Sequence, residues 1–292
     1  MINVKLGNIG TAMVTPFSPT GGIDFEKTSV LLEHLIANGT DSVIVSGTTG
    51  ESPTLTRVEK KELLDFVIKV VNKRIPVIAG TGTNDTAESI ELTKMAESSG
   101  ADGIMLVTPY YNKPDQQGMY AHFSAIANAT SLPVLLYNIP GRSIVNLLPE
   151  TVIQLSKIPN IKAVKEASGN LEQMAEIIDG AADDFQLYSG DDGLTLPVLS
   201  IGGRGIISVS SHVVGNEMQQ MIQAFQNGQT KKAAQIHRAL LPVFNALFSS
   251  PNPVPVKYAL EKLGISTGGV RLPLVELDEE EVANIEKVLE KI

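Results

Sequence analysis

Short apolar runs punctuate the chain at intervals of roughly 25–35 residues, the length of one strand plus one helix. They fall at residues 10–14, 42–45, 76–79, 103–107, 133–137, 161–164, 185–188 and 205–209. Between most of them the period becomes helical. Residues 25–37 put Leu31, Leu32, Leu35 and Ile36 on one face, and residues 57–71 do the same with Leu63, Leu64, Val67 and Val71. Residues 86–98, 116–129 and 171–178 repeat the pattern, whereas the interval after Asp191 is shorter and less clearly helical. Strands without polar alternation are buried on both faces, as in a parallel sheet flanked by helices. Eight such units predict an α/β fold closed into a (β/α)8 TIM barrel rather than an open sheet.

Beyond about residue 226 the strand signal stops. Residues 230–248, 256–263 and 279–292 are predicted helical, with Pro251, Pro253 and Pro255 interrupting the run between the first two. Asp278 is placed to cap the last helix, whose first turn is acidic. The expected organisation is a barrel over residues 1–226 and a helical extension, residues 227–292, packed on it.

Composition narrows the function classes. The 292 residues are 43% hydrophobic and 19% charged, enough for a large core. A net charge of −9 argues against nucleic acid or an anionic membrane as partner, but not against a small anionic substrate held by a few local cations. With no cysteine there is no disulfide, thiolate metal site or thiol nucleophile. The first ten residues lack a basic segment leading into an apolar one, and no apolar run is long enough to span a membrane. A cytoplasmic protein is expected, and the N-x-[ST] triplets at Asn38, Asn84 and Asn128 read as chance.

The predicted strands end in chemistry-bearing residues. Lys165 closes the sixth run; by alternation it shares a face with Ile161 and Ala163, and that face points either inward or toward the helices. Pointing inward, its amine would be partly desolvated and its pKa lowered, leaving a free nucleophile; pointing outward, it is an ordinary solvated lysine. Tyr137 closes the fifth run and could relay protons, and Arg142 follows a Pro-Gly turn that could aim a guanidinium at a carboxylate. Gly47-Thr48-Thr49-Gly50-Glu51 offers backbone amides and two hydroxyls to a carboxylate. Tyr110 and Tyr111 follow the fourth strand and suit surface packing or an oligomer contact equally well. Asp191 and Asp192 read as a helix cap rather than a cation site, Gly80-Thr81-Gly82 lacks the rest of a dinucleotide fingerprint, and His34, His122 and His237 read as structural. Singly, each has a bland explanation. Jointly, Thr48, Tyr111, Tyr137, Lys165 and Gly190 stand at the carboxyl ends of strands two, four, five, six and seven, which converge on one mouth in this fold. That set describes an imine-forming lyase or aldolase.

Residues 47–51, 109–114, 137–142, 165–170 and 189–192, in this order, resemble the dihydrodipicolinate synthase (4-hydroxy-tetrahydrodipicolinate synthase) family, and the resemblance spans nearly the whole chain. The family is part of a wider group of pyruvate-dependent lyases that includes N-acetylneuraminate lyase. The position of Arg142 and the double threonine are closer to the synthases. The resemblance implies that Lys165 forms a Schiff base with pyruvate, which then condenses with L-aspartate 4-semialdehyde in the committed step of diaminopimelate and lysine biosynthesis. It implies Tyr137 as proton shuttle, linked through Thr48 to Tyr111 of a neighbouring subunit. Thr48, Thr49 and the backbone around Gly190 and Ile207 would hold pyruvate, Arg142 would hold the semialdehyde carboxylate, and neither metal nor organic cofactor would be needed. It also implies a homo-oligomer, usually a dimer of dimers. Asn84, Glu88 and Tyr110 match the pocket in which feedback-inhibited members bind lysine, but the histidine positions there read Arg57 and Lys60. Weak or absent feedback inhibition is therefore expected. A sugar-acid aldolase and a silent keto-acid-binding barrel are the rival readings.

Overall fold

A computed structural model describes residues 6–290. Eight parallel strands, β1 (Ile9–Ala12), β2 (Ser42–Val45), β3 (Val77–Gly80), β4 (Gly103–Val107), β5 (Val134–Asn138), β6 (Ile161–Glu166), β7 (Gln186–Ser189) and β8 (Gly205–Ser208), pair in sequence order, and β8 closes on β1. The TIM barrel expected from the apolar runs is present, each strand within two residues of its predicted limits. Twelve α-helices lie among the described residues: α1 (Phe25–Ala37), α2 (Arg57–Val71), α3 (Thr86–Ser99), α4 (Gln116–Ala127), α5 (Pro140–Ser143), α6 (Pro149–Leu155), α7 (Leu171–Gly180), α8 (Thr195–Ser200), α9 (Ser211–Gln226), α10 (Thr230–Ala246), α11 (Val254–Lys262) and α12 (Glu279–Leu289).

Helix starts follow from capping chemistry. Asp24, Thr56, Asp85, Asp115 and Asn170 each accept a main-chain N–H of the first turn of α1, α2, α3, α4 and α7, and Thr56 with Glu59 forms a reciprocal box. Asp278 caps α12 as its position suggested. Leu31, Leu32 and Leu35 of α1 are fully buried, each contributing about 2 kcal/mol of apolar burial. Pro255, expected to break the chain, instead lies in the first turn of α11, where a missing N–H leaves no helical bond unmade.

The apolar core forms two layers. Ala12, Ile44, Ile78, Met105, Leu135, Tyr137, Ala163, Tyr188 and Ile207 fill the barrel, and the larger cluster lies between strands and helices. Tyr188, wholly buried, donates its hydroxyl to Gly7 O at the amino-terminal floor (3.1 Å). One alternation expectation fails. Ile161 belongs to the outer layer while Ala163 belongs to the interior, because the β5–β6 register slips between Val134 and Leu135: Val134 pairs with Ile161 and Leu135 with Ala163. The extra residue, Lys162, stays in the strand and its side chain meets Asp184. From Ala163 onward alternation resumes, and Lys165 faces inward.

Candidate active site

Register sets the central pair. Tyr137 on β5 stands opposite Lys165 on β6. Both are about 95% buried, and the Lys165 amine lies 4.3 Å from the centroid of the Tyr137 ring. Burial pulls the Lys165 pKa from 10.5 down to about 8; the Asp192 carboxylate opposes the shift and Arg142 adds to it. Tyr137 is driven the other way, to about 12, again chiefly by burial, with Arg142 and the neighbouring Thr48 side chain opposing. Near neutral pH the site thus offers an amine that releases its proton readily and a phenol that keeps one.

Behind this pair the next residues of the two strands are locked together on the helix side. Asn138 Nδ2 donates to both Glu166 oxygens (3.2 and 3.0 Å), Gln173 Nε2 of α7 donates to Oε2 (3.2 Å), and Ser168 N donates to Oε1 (2.8 Å). Asn138 Oδ1 accepts from Leu147 N (3.0 Å). Burial raises the Glu166 pKa and these donors oppose the rise. The network fixes β5 against β6 one residue beyond the reacting groups.

An open cavity of about 830 Å³, mouth included, is lined by Thr48, Lys60, Tyr110, Tyr137 and Arg142 among others, with no carboxylate in its wall. Thr49 does not line it: that side chain is buried and accepts from Asn252 Nδ2 (2.9 Å). Gly190 packs against the lysine stem, since a Cβ there would lie 3.1 Å from Lys165 Cε and 2.7 Å from Ala167 Cβ. Its N–H donates to Glu166 O (2.7 Å). Ile207 is buried in the inner layer on β8. Tyr111 projects away, 88% exposed at a positive φ of 74°, a conformation bulky side chains rarely adopt.

A sequence model of the dihydrodipicolinate synthetase family matches residues 5–292. The chain belongs to that family. It is 57% identical over 289 residues to a 4-hydroxy-tetrahydrodipicolinate synthase of Bacillus velezensis, covering 99% of this chain and all of the relative, and 56% identical to the enzyme of the same name in Bacillus subtilis, with the same coverage. A crystal structure of a dihydrodipicolinate synthase from Bacillus anthracis superposes with a TM-score of 0.98 at 56% identity, covering 99% of each chain. A family structure from Cyanidioschyzon merolae with lysine bound gives a TM-score of 0.97 at 48% identity, also with 99% of each chain covered.

Family membership throws the departures into relief. Glu88 is engaged by Arg57, whose Nε donates to Oε1 at 2.7 Å, and the Asn84 carbonyl accepts from Asn112 Nδ2 at 2.8 Å. Tyr110 is 38% exposed at the cavity wall near Lys60, whose ammonium burial and Arg57 both disfavour. The two aspartates divide their work. Asp191 caps the turn after β7 by accepting from Gly193 N (2.9 Å), but Asp192 is no cap. It is buried, accepts from Ser210 N (2.9 Å) at the end of β8 and bears on Lys165. Sequence reading missed Asp192 in this role, and the paired acids beside a strand end were the available signal. His34, His122 and His212 are structural: His212 Nδ1 donates to Val209 O (2.7 Å) and Nε2 accepts from Val14 N (3.2 Å), joining the ends of β1 and β8.

Proposed function

We infer that this chain condenses pyruvate with L-aspartate 4-semialdehyde to 4-hydroxy-tetrahydrodipicolinate, acting in lysine and diaminopimelate biosynthesis. The observation that carries the reading is the buried Lys165 amine, with a pKa of about 8, against the Tyr137 phenol at the mouth of a barrel of this family.

Lys165 Nζ adds to the ketone carbon of pyruvate. Tyr137 delivers a proton to the departing oxygen, water leaves and an imine forms. Loss of a methyl proton gives the enamine, whose terminal carbon attacks the aldehyde of the semialdehyde. The semialdehyde amine then attacks the imine carbon, closes the ring and expels the Lys165 amine. One water is released overall, and every proton transfer lies within reach of a phenol that stays protonated until a base forms beside it. Thr48 orients that phenol, while Arg142, exposed at the cavity rim, is the cation for the semialdehyde carboxylate. Gly190 and Ile207 shape the pyruvate end. Thr49 contributes through the loop main chain rather than its hydroxyl.

The same reading assigns Tyr111 to a neighbouring copy. Its exposure and unfavourable φ support a side chain held out to complete the relay across a homo-oligomer, taken here as a dimer of dimers. Residues 227–292 are read as an extension of the barrel over residues 1–226. The site of action is the cytoplasm; no helix among the described residues is long and apolar enough to cross a membrane. Borohydride reduction with pyruvate, followed by peptide mass mapping, tests the central step. An adduct on Lys165 is expected, and folded protein that takes up no label would overturn the assignment.

A further inference from the structure

The loop after β2 is gripped by residues some 200 positions further along the chain. Asn252 Nδ2 donates to Thr49 Oγ1 at 2.9 Å, both residues being buried. Two residues on, Glu51 is 3% exposed, with Lys257 Nζ 2.7 Å from Oε1 and the Arg271 main-chain N–H donating to Oε2 at 2.9 Å. Lys257 also donates to Gly269 O (2.8 Å) and sits 4.3 Å from the centroid of the Phe17 ring. The Arg271 guanidinium donates to Gly21 O (2.9 Å) and Thr54 O (2.7 Å). Burial lowers the Lys257 pKa to about 8 while Glu51 opposes, so the ammonium persists at neutral pH.

Turn bonds from Gly50 N to Gly47 O (3.1 Å) and from Glu51 N to Thr48 O (3.0 Å) shape this loop locally, but its backbone carries strain that they leave unrelieved. Ser46 and Glu51, which bracket the threonines, both have left-handed backbone, with φ of 57° and 54°. Non-glycine residues adopt that region only where the surroundings enforce it. The two threonine side chains also diverge. Thr48 lines the cavity with Tyr137, whose phenol it makes more acidic, while Thr49 is buried against Asn252. A hydroxyl that shares a wall with a phenol is placed only as well as the main chain that carries it.

We propose that the Thr49–Asn252 hydrogen bond, backed by the Glu51–Lys257 ion pair, holds Thr48 in line with Tyr137, making Asn252 a positioning residue for proton transfer although it touches no substrate. A purely structural bond would lower the melting temperature and leave the chemistry of each folded site unchanged. The inference rests on imine formation at Lys165 and concerns the step after it.

The test is exchange of the pyruvate methyl protons with deuterated solvent, which reads imine–enamine interconversion without the second substrate. Rates are normalised to sites trapped by borohydride and taken on protein with a cooperative melt. Asn252→Ala and Thr49→Val break the same bond from opposite ends, and each is expected to slow exchange about five-fold, the worth of one neutral hydrogen bond. The double variant should be no slower than either, and adding Asn252→Ala to Thr48→Val should cost nothing further. If Asn252→Ala does not fold, the near-isosteric Thr49→Val carries the test. Parental exchange rates in these variants, or a loss that multiplies with Thr48→Val, would overturn the proposal. A parent protein that neither traps pyruvate nor exchanges its protons would overturn the Schiff-base reading and this one with it.

Discussion

Replacing Lys165 by methionine keeps the stem of the side chain and removes the buried amine, and we expect the variant to be more stable than its parent at neutral pH. The amine titrates at about 8 in the fold against 10.5 for a free lysine. Between those values the unfolded chain binds more protons, so stability rises with pH; below pH 8 both states are protonated and the full cost of burying the ammonium is present. From the two values that cost is about 3 kcal/mol at pH 7, falling to about 1 kcal/mol at pH 9.5. Losing the ammonium also forfeits its contact with the Tyr137 ring, about 1 kcal/mol. The variant should therefore gain about 2 kcal/mol at pH 7 and only about 1 kcal/mol at pH 9.5, where the folded amine is already neutral and has no cation–ring contact to lose. Urea unfolding of both proteins at the two pH values and one protein concentration measures the difference. A less stable variant at pH 7, or an offset independent of pH, would refute desolvation as the source of the amine's reactivity.

Gly190→Ala should slow borohydride-trapped imine formation at least about ten-fold, because the added carbon overlaps Ala167 Cβ and crowds Lys165 Cε, pushing the amine off the Tyr137 ring; an unchanged trapping rate would show that the stem has room to move. The rate of imine formation should rise with pH through about 8, and Asp192→Asn should move that limb to lower pH by removing the charge that favours the ammonium; a move to higher pH contradicts the assignment. Lysine should inhibit turnover weakly or not at all, since Arg57 already occupies Glu88 and Lys60 adds a second repelling cation at the cavity; a dose–response with sub-millimolar inhibition would show otherwise. Lys257→Met alone should destabilise by about 3–5 kcal/mol through the stranded Glu51 carboxylate, and adding Glu51→Gln should recover most of the loss in urea unfolding.

Strands β1 to β8 were legible because residues buried on both faces have to be apolar, and α1 and α2 because one face repeats every third or fourth position. Helices α5 and α6 were not singled out: each begins with proline and is too short for a period to show. Alternation named Lys165 but not its direction, since the register slip beside Lys162 is a property of the β5–β6 pair and leaves no mark in β6 alone. The convergence of Thr48, Tyr137, Lys165 and Gly190 followed from strand ends in a closed barrel. What stayed hidden were partners brought together only by folding, such as Asn252 to Thr49, Lys257 to Glu51 and Asp192 to Lys165. Polar residues far apart in sequence carry no periodic signal.

The grip of residues 252–271 on the loop at 49–54 also sets an order of events during synthesis. The loop is among the first parts of the chain to emerge, yet the groups that hold it lie in the last sixth. Until then the left-handed Ser46 and Glu51 are held only by the turn bonds of the loop itself and by Thr15 at Gly50 O, and the nascent barrel carries its lysine and tyrosine beside a threonine loop that is only partly secured. Even after β8 has closed on β1, such a chain holds all eight strands and lacks the fastening of its own catalytic loop. Maturation of the site and closure of the barrel are thus separate milestones, the first of which waits for the carboxyl-terminal helices.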